Sequence, residues 1–448
     1  MLQARLIFDL LFHRGISPSG GRNQNFFSEV ENMKPTSEGF KTVEKEDFSF
    51  LLSLSSSDQV FEIGSVSYLF SVNSIWEIGS SSLGSCLFSG IPTGGKWVCA
   101  DYQTYALFSN GIVVISLDSN GDFAYTEEVP VGKEMVNYNG QLLIGNHTLN
   151  YNEFIPNAIP SLEIGKSFIS YSGIGNIDCV VSEDNIEAGY QCLLEIGEVV
   201  GVSVLNNSPL VLGTRGVVRL LPTEHFFGKR VISSTGPRDS FSWCLGEGVL
   251  YFIDGKGKLW GISGEEKVNL LGFGYLFKDL GTRMFFKKNT EEVFIKTEGK
   301  TFVLNSEGLY SLTGNFLASI GSGDRFLVSA IPSLENGKFI TSIFDFKDPG
   351  LKVIEEISLG VDSGVLEENL SFRIHTREKI GGPWFLSPLY RLNNENVCKP
   401  HVAGSEFKIE FFASSFSYSS PDWMIVQYDK IDKRYNRGHS FVDINKEG

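Results

Sequence analysis

The chain has 448 residues, 42% of them hydrophobic and 20% charged, with 36 Phe, 15 Tyr and 48 Gly against 5 Met. That composition excludes a disordered chain and is too long for one ordinary core; it favours an all-β fold, because aromatics suit pleated surfaces and glycine serves turns. The net charge of −15 excludes a general phosphate-gripping surface, since nucleic-acid binding is driven largely by Lys and Arg displacing counterions.

The charge is unevenly placed. Between Glu46 and Asp362 there are 21 Lys and Arg against 37 Asp and Glu, from Ser363 onward 11 against 11, and before Glu46 6 against 5, so the middle holds the whole excess. Cys86, Cys99, Cys179, Cys192, Cys244 and Cys398 form no C-x-x-C pair and have no histidine at zinc-finger spacing. They read as buried thiols of a reducing compartment.

Residues 1–45 read as an extended arm. Leu6 to Phe12 is apolar but broken by Asp9, too short to span a bilayer and without a small-residue cleavage site, so neither a signal peptide nor a membrane span is expected. The Gly, Pro, Ser and Asn that follow forbid a helix, while Phe26, Phe27, Val30, Met33 and Phe40 recur too often for a solvated tail. An arm lying on its own body or a neighbour's is expected.

Residues 46–360 read as short apolar strands broken by turn signals. Phe61 to Ile78 is a strand pair around Ser71 to Asn73; Asn110-Gly111 and Asn139-Gly140 mark hairpins. Asn150 to Gly197 is less regular and reads as loops with a few strands. Strands return from Val199, with turns at Asn206-Asn207 and Thr214-Arg215-Gly216. The stretch Ser240 to Ser263 organises the rest: Val249 to Ile253 is a buried strand, Asp254-Gly255-Lys256-Gly257 a tight reversal, and Leu259, Trp260 and Ile262 begin the return. Further strands fall at Met284 to Phe286, Val293 to Lys296, Thr301 to Leu304, Leu309 to Leu312, Arg325 to Ile331 and Phe339 to Phe344. Three or four strands per roughly 35 to 50 residues is the period of β-propeller blades. A propeller of six or seven blades is expected, and a β-sandwich with long insertions is the competing architecture.

Residues 361–448 alternate apolar and polar residues more cleanly, as strands with one wet face do, and end on Ser440 to Ile444. They read as a β-sandwich-like domain.

Reactive motifs are scarce. No nucleophile elbow, metalloprotease helix or phosphate loop occurs; Gly165-Lys166-Ser167 lacks the leading glycine, which is Pro160. Asp118-Ser119-Asn120-Gly121-Asp122 resembles half a calcium loop without its closing glutamate and reads as a hairpin turn. Glu127-Glu128, Glu265-Glu266, Glu291-Glu292 and Glu355-Glu356 read as solvated turns, because adjacent carboxylates on a strand face opposite ways and cannot flank one sugar bond. Lys430, Lys433, Arg434 and Arg437, interleaved with Tyr428 and Tyr435 but diluted by Asp429 and Asp432, read as a loop or partner surface. No catalytic, cofactor-binding or metal-ligating residue is assigned, no cofactor is expected, and the chain reads as a non-enzyme.

The layout resembles the tail nozzle proteins of short-tailed bacteriophages, also called tail hub or packaged-DNA stabilisation proteins. The resemblance is carried by Asn25-Phe26-Phe27, Glu31-Asn32-Met33-Lys34-Pro35-Thr36 and Gly39 in the arm. In the propeller it is carried by Gly201-Val202-Ser203-Val204, Leu210-Val211-Leu212-Gly213, Thr235-Gly236-Pro237 and Tyr251-Phe252-Ile253-Asp254, and beyond it by Leu386-Ser387-Pro388-Leu389-Tyr390. It implies a virion protein made in the bacterial host cytoplasm, which forms a ring with itself, six copies in the family, below the portal and its adaptor ring. Tail fibres or spikes and a distal plug or needle are the further partners it implies, with DNA passing through the lumen without specific binding. Two other classes fit the residues: a glycan-binding or glycan-hydrolysing propeller involved in host attachment, and an intracellular scaffold propeller.

Overall fold

The computed structural model describes the chain except residues 1–3, 10–14, 23–25, 38, 44, 81, 104, 150–164, 224–226, 265, 279–280, 322–323, 335–336, 361–369, 414–422, 432–441 and 444–448. The chain forms two compact units. One is Ser49–Glu298 with Asn315–Ile331; the other is Met1–Phe48 with Gly299–Gly314 and Pro332–Gly448.

The first unit is a β-propeller. Five four-stranded antiparallel sheets succeed one another at 59–89, 98–126, 131–192, 199–233 and 243–272. The hairpin of Arg283–Lys287 with Glu292–Lys296 comes sixth. The seventh group joins Phe316–Ile320 and Arg325–Val328 to Ser49–Leu52, which pairs parallel to Arg325–Val328. Seven groups agree with the expected six or seven blades. Their first strands pack in series around an axis: Val98–Asp101, Val131–Tyr138, Val199–Leu205, Trp243–Leu245, Arg283–Lys287, Phe316–Ile320 and then Gln59–Ile63.

Each blade is apolar on both faces because it is covered on both. In Ser208–Gly213 the alternate residues divide between two cores. Val211 packs with Leu143, Ile169, Val199 and Val218 towards the third blade. Leu210 and Leu212 pack with Leu250, Phe252 and Ile262 towards the fifth. All of these are fully buried, and each such side chain stabilises the fold by about 1.5–3 kcal/mol relative to exposure.

Local turn chemistry explains the hairpins. Asn139-Gly140 (φ 51° and 84°) and Asn206-Asn207 (φ 48° and 56°) are two-residue reversals with both residues left-handed, the geometry that matches strand twist. At Asn110-Gly111 only Gly111 is left-handed, and the loop is longer. Ser109 pairs with Val114, and the Asn110 side-chain oxygen accepts from the backbone N–H of Ile112 and Val113. The reversal at Asp254 likewise rests on a side chain. Its carboxylate accepts from the N–H of Lys256 (2.8 Å) and Lys258 (2.9 Å) and from Trp260 Nε1 (2.9 Å), while only Gly257 is left-handed.

The second unit is a two-sheet β-sandwich. One sheet runs Lys300–Leu304, Leu309–Thr313, Phe27–Glu31, Gly337–Thr341, Glu406–Ala413, Leu370–Arg377, Phe385–Leu386, Val442–Asp443. The other runs Ala4–Asp9, Trp423–Lys430, Lys352–Gly360, Val397–Cys398, with Val402–Gly404 also on Lys352–Gly360. Leu370–Arg377 and Trp423–Lys430 alternate buried and half-buried residues, as their sequences anticipate. Between the sheets Phe346 lies 5.8 Å from Phe407 and 3.8 Å from Tyr428, ring centre to ring centre.

The arm lies on its own body. Phe27–Glu31 pairs antiparallel with Gly337–Thr341 and meets Ser311 in parallel through Glu31. Phe27, Phe40, Phe339 and Phe411 form one aromatic stack with centroids 5.0–5.8 Å apart. Two sequence expectations change. Residues 299–314 and 332–360, read with the propeller, lie in the sandwich unit, since Leu309–Thr313 meets the arm at Glu31 and Gly337–Thr341 finds its partners in the arm and in Glu406–Ala413. Asn150 to Gly197 reads as loops with a few strands inserted between regular units; its strands Phe168–Tyr171 and Gly189–Cys192 are instead the outer strands of the third blade, separated by a loop long enough to hide the period.

Candidate functional site

The sequence candidates settle into structural duties. Asp118 closes its own turn: its carboxylate accepts from the N–H of Asn120 and Asp122, both 2.9 Å, and the Asp122 bond foremost lowers its pKa below the usual value. In the Gly165-Lys166-Ser167 run, the Lys166 carbonyl accepts from Val199 N–H and Ser167 Oγ donates to the Gly197 carbonyl, so the segment ties the third blade to the fourth.

Of the glutamate pairs, Glu127-Glu128 is an exposed turn as read, and Glu265 lies outside the described residues. Glu291 is likewise exposed in a turn, whereas Glu266, Glu292, Glu355 and Glu356 correct the reading. Glu266 pairs with Arg219 and Arg230. Glu292 is buried in Glu292–Lys296 and accepts from Thr290. In Lys352–Gly360, Glu355 holds His401 (2.7 Å) and Glu356 accepts from Gln427 (2.7 Å). The cations on Glu266 come from Arg219 and Arg230 on two strands of the preceding blade, too distant in sequence to anticipate.

In the basic cluster, Lys430 pairs with Asp348 (2.6 Å) and Tyr428 is a core residue; Lys433, Arg434, Tyr435 and Arg437 lie outside the described residues. All six cysteines are free, but against the reading of all six as buried only Cys179 and Cys244 are so; Cys99, Cys192 and Cys398 are half-buried, and Cys86 is exposed because the outer strand Leu83–Ser89 is little covered on either face. Burial pushes the Cys179 thiol up to about 12 and also raises Cys244 and Cys99. Among the described residues no group of three or more His, Cys, Asp or Glu could hold a metal ion.

The grouping the sequence does not reveal lies where the first strands enter the propeller axis. Lys96 Nζ donates to the Ser240 carbonyl (2.5 Å) and stands over two rings, 4.8 Å from the centre of Trp243 and 5.7 Å from that of Phe241. Arg283 covers Phe241 at 5.6 Å and donates to the carbonyls of Ser56 and Asp58. The Trp243 ring packs on Gly201, where a Cβ would come within 2.7 Å of the indole, and its Nε1 donates to the Val200 carbonyl (2.8 Å). Glu134, only 2% exposed, is the fifth member.

Burial governs the electrostatics here. It pulls the Lys96 ammonium below the usual lysine range, with Glu134 opposing, and pushes Glu134 up to about 8, with Lys96 and Lys133 opposing. It also lowers Arg283 to about 10. The contacts of Lys96, Trp243 and Arg283 tie several blades to one another where their first strands meet. Residues 96, 134, 241, 243 and 283 come from four blades at unrelated spacings; a basic residue just before a strand, as in Lys96-Trp97, was the only local sign.

A second charged grouping crosses one face of the sandwich. Lys300 binds Glu29 (2.8 Å) and Glu31; Lys338 faces Glu29 (3.8 Å) and Glu410 (3.3 Å); Glu410 binds His375 (2.9 Å) and Arg373. Burial acts to raise the Glu410 pKa, but the bonds from His375 and Arg373 and the charges of Arg373 and Lys338 outweigh it and hold it at about 2. This ladder stitches five strands together.

The fold defines a β-propeller protein with an added β-sandwich. No family model and no curated protein matches the chain. Among solved structures it is similar to BamB from Moraxella catarrhalis, at 9% identity over 64% of this chain and 92% of that one, with a TM-score of 0.38. It is also similar to a catalytically inactive virginiamycin B lyase from Staphylococcus aureus with quinupristin, at 10% over 64% and 93%, TM-score 0.41. A third is the extracellular domain of a one-component system from B. thetaiotaomicron, at 11% over 90% and 63%, TM-score 0.40. Likeness at this level carries no argument about activity or partners.

Proposed function

We propose that the chain is a structural, non-enzymatic virion protein of a short bacteriophage tail, a subunit of a ring-shaped nozzle below the portal and adaptor that retains packaged DNA and conducts it on ejection. The observation that supports this most is the filled propeller axis. Trp243, Lys96, Phe241 and Arg283 occupy the entry to the first strands and satisfy one another there. On this reading the conduit runs between copies rather than through the axis of one of them. The net charge of −15 suits a body along which a polyanion slides without adhering. The arm folded into its own sandwich suits a subunit that is already rigid before it assembles.

The test is the mass and shape of the purified chain, alone and with candidate portal–adaptor complexes, by light scattering and negative-stain imaging. A closed ring with an axial lumen is expected. A monomer that ignores the adaptor and binds glycans would overturn the reading in favour of host-glycan recognition.

A further inference from the structure

We infer that Asn120-Gly121 is a site of spontaneous covalent modification, at which the Asn120 amide is lost through a cyclic imide and the residue becomes aspartate or isoaspartate. Four Asn-Gly pairs stand in the sequence, at 110, 120, 139 and 336, and the last begins outside the described residues. The structure separates the other three.

The reaction needs a glycine nitrogen able to lose its proton and an asparagine amide free to swing onto it, a motion available where the chain opens locally. Asn110 meets neither need. It is buried, its Oδ1 accepts from the N–H of Ile112 (3.0 Å) and Val113 (3.1 Å), its Nδ2 donates to the Pro92 carbonyl (2.9 Å), and Gly111 N–H donates to Ser109 Oγ (3.2 Å). At Asn139 the nucleophile is held: Gly140 N–H donates to Asn137 Oδ1 (2.8 Å), while the Gly140 carbonyl accepts from Gly175 N–H (3.0 Å) and pins the turn to the next loop of its blade. Asn120 differs. Residues 118–122 are all exposed at the reversal between Val114–Leu117 and Phe123–Thr126, and a Cβ placed on Gly121 would meet no atom within 4 Å. The ties of the reacting groups run to a single residue: Asn120 Nδ2 donates to Asp118 Oδ2 (3.1 Å), Asn120 N–H to Asp118 Oδ1 (2.9 Å) and Gly121 N–H to the Asp118 carbonyl (3.2 Å). Asp118 is the clasp whose release starts the chemistry.

With the clasp open, the Gly121 nitrogen gives its proton to water or hydroxide and attacks Asn120 Cγ. The N–Cγ bond forms, the Cγ–Nδ2 bond breaks, and ammonia leaves with a proton from solvent. Glycine suits the step because it has no side chain to crowd its nitrogen. Water then opens the imide at Cγ, giving aspartate, or at the main-chain carbonyl, giving isoaspartate; nothing is oxidised or reduced, and water is the only co-reactant. Either product costs the turn. An acid at 120 has no N–H to offer Asp118 Oδ2 and places a third negative charge between Asp118 and Asp122. Isoaspartate also lengthens the main chain by one methylene, beside the pairing of Leu117 with Phe123. The Phe123 ring meets Tyr68 (5.5 Å), Phe70 (6.1 Å) and Phe108 (6.2 Å), so the change at an exposed tip reaches the core between the first and second blades.

The experiment incubates the full-length chain in mildly alkaline buffer and samples it over days. Peptide mapping by mass spectrometry follows the amide-to-acid mass gain at each site, and enzymatic methylation by an isoaspartyl methyltransferase identifies isoaspartate. Asn120 should convert about tenfold faster than Asn110 or Asn139, the factor that one further hydrogen bond to be broken represents. In Asp118→Ala its rate should rise about tenfold again while Asn110 and Asn139 keep theirs, which separates release of the clasp from unfolding; Asp118→Asn, which retains an acceptor, should fall between. The order of the three sites in the wild type decides the inference without any variant: Asn110 or Asn139 converting first, or no isoaspartate at 120, would overturn it. An Asn120 rate equal in the wild type and both variants would overturn the role given to Asp118.

Discussion

Replacing Asp254 tests how a single side chain sets a blade. Its carboxylate is 5% exposed and accepts three hydrogen bonds, from the N–H of Lys256 and Lys258 and from Trp260 Nε1, all within 2.9 Å. A bond to a charged acceptor contributes roughly 1.5–3 kcal/mol net, so three set an upper bound of about 5–9 kcal/mol. The two backbone donors lie in a solvent-facing reversal and regain water when the carboxylate is removed, which brings the expected loss for Asp254→Ala to about 2–3 kcal/mol. The indole N–H of the half-buried Trp260 also loses this partner, so Trp260→Phe in the Asp254→Ala background should recover part of that loss, about 0.5–1 kcal/mol. Urea unfolding followed by tryptophan fluorescence and far-UV circular dichroism reads both values. Asp254→Asn keeps the acceptor oxygen and should fall between wild type and alanine. An alanine variant within 0.5 kcal/mol of wild type would refute the claim that the side chain, and not the glycines, makes the turn.

Glu410 is held at about 2 by its bonds to His375 and Arg373, against burial. A depressed carboxylate contributes stability that is present above its unfolded value of 4.5 and is lost as pH falls from 4.5 towards 2; Glu410→Gln should therefore destabilise by about 1–3 kcal/mol at neutral pH, discounted for the solvated partners, and by little near pH 2. Glu134 has the opposite sign: burial raises it to about 8, so its contribution is complete below 4.5 and is lost as pH rises from 4.5 through 8. Glu134→Gln should flatten that part of the stability–pH curve, measured by urea midpoints from pH 5 to 9, and an unchanged curve would show that the axial carboxylate is solvated. Gly201→Ala places a methyl within 2.7 Å of the Trp243 ring and should cost about 1–3 kcal/mol by the same unfolding assay.

Periodicity and turn chemistry made the blades legible where strands are short and turns tight. Val249 to Ile253 and the reversal at Asp254 stand where they were expected, and Asn139-Gly140 and Asn206-Asn207 form the two-residue hairpins their residue types demand. The third blade was hidden because its outer strands are parted by the loop 172–188, which breaks the repeat. Assigning Phe339 to Phe344 to the propeller failed for another reason. A strand's own residues do not say which strand it joins, and Gly337–Thr341 pairs with Phe27–Glu31 over 300 residues earlier. The axial group was illegible for the same cause: Lys96, Glu134, Trp243 and Arg283 become neighbours only when four blades close around an axis. Motif scanning reads what is local, and here the local motifs are spent on turns.

The parallel pairing of Ser49–Leu52 with Arg325–Val328 has a consequence for synthesis. The strand that completes the seventh blade leaves the ribosome before any other blade residue, and its partner emerges after all six other blades. At roughly 5–20 residues per second, it waits on the order of 14 to 55 seconds for that partner. Through that interval an unpaired strand edge with Phe50 and Leu51 is available to other chains, so the hazard of mispairing is greatest while the chain is still being made, and it ends when the last blade closes.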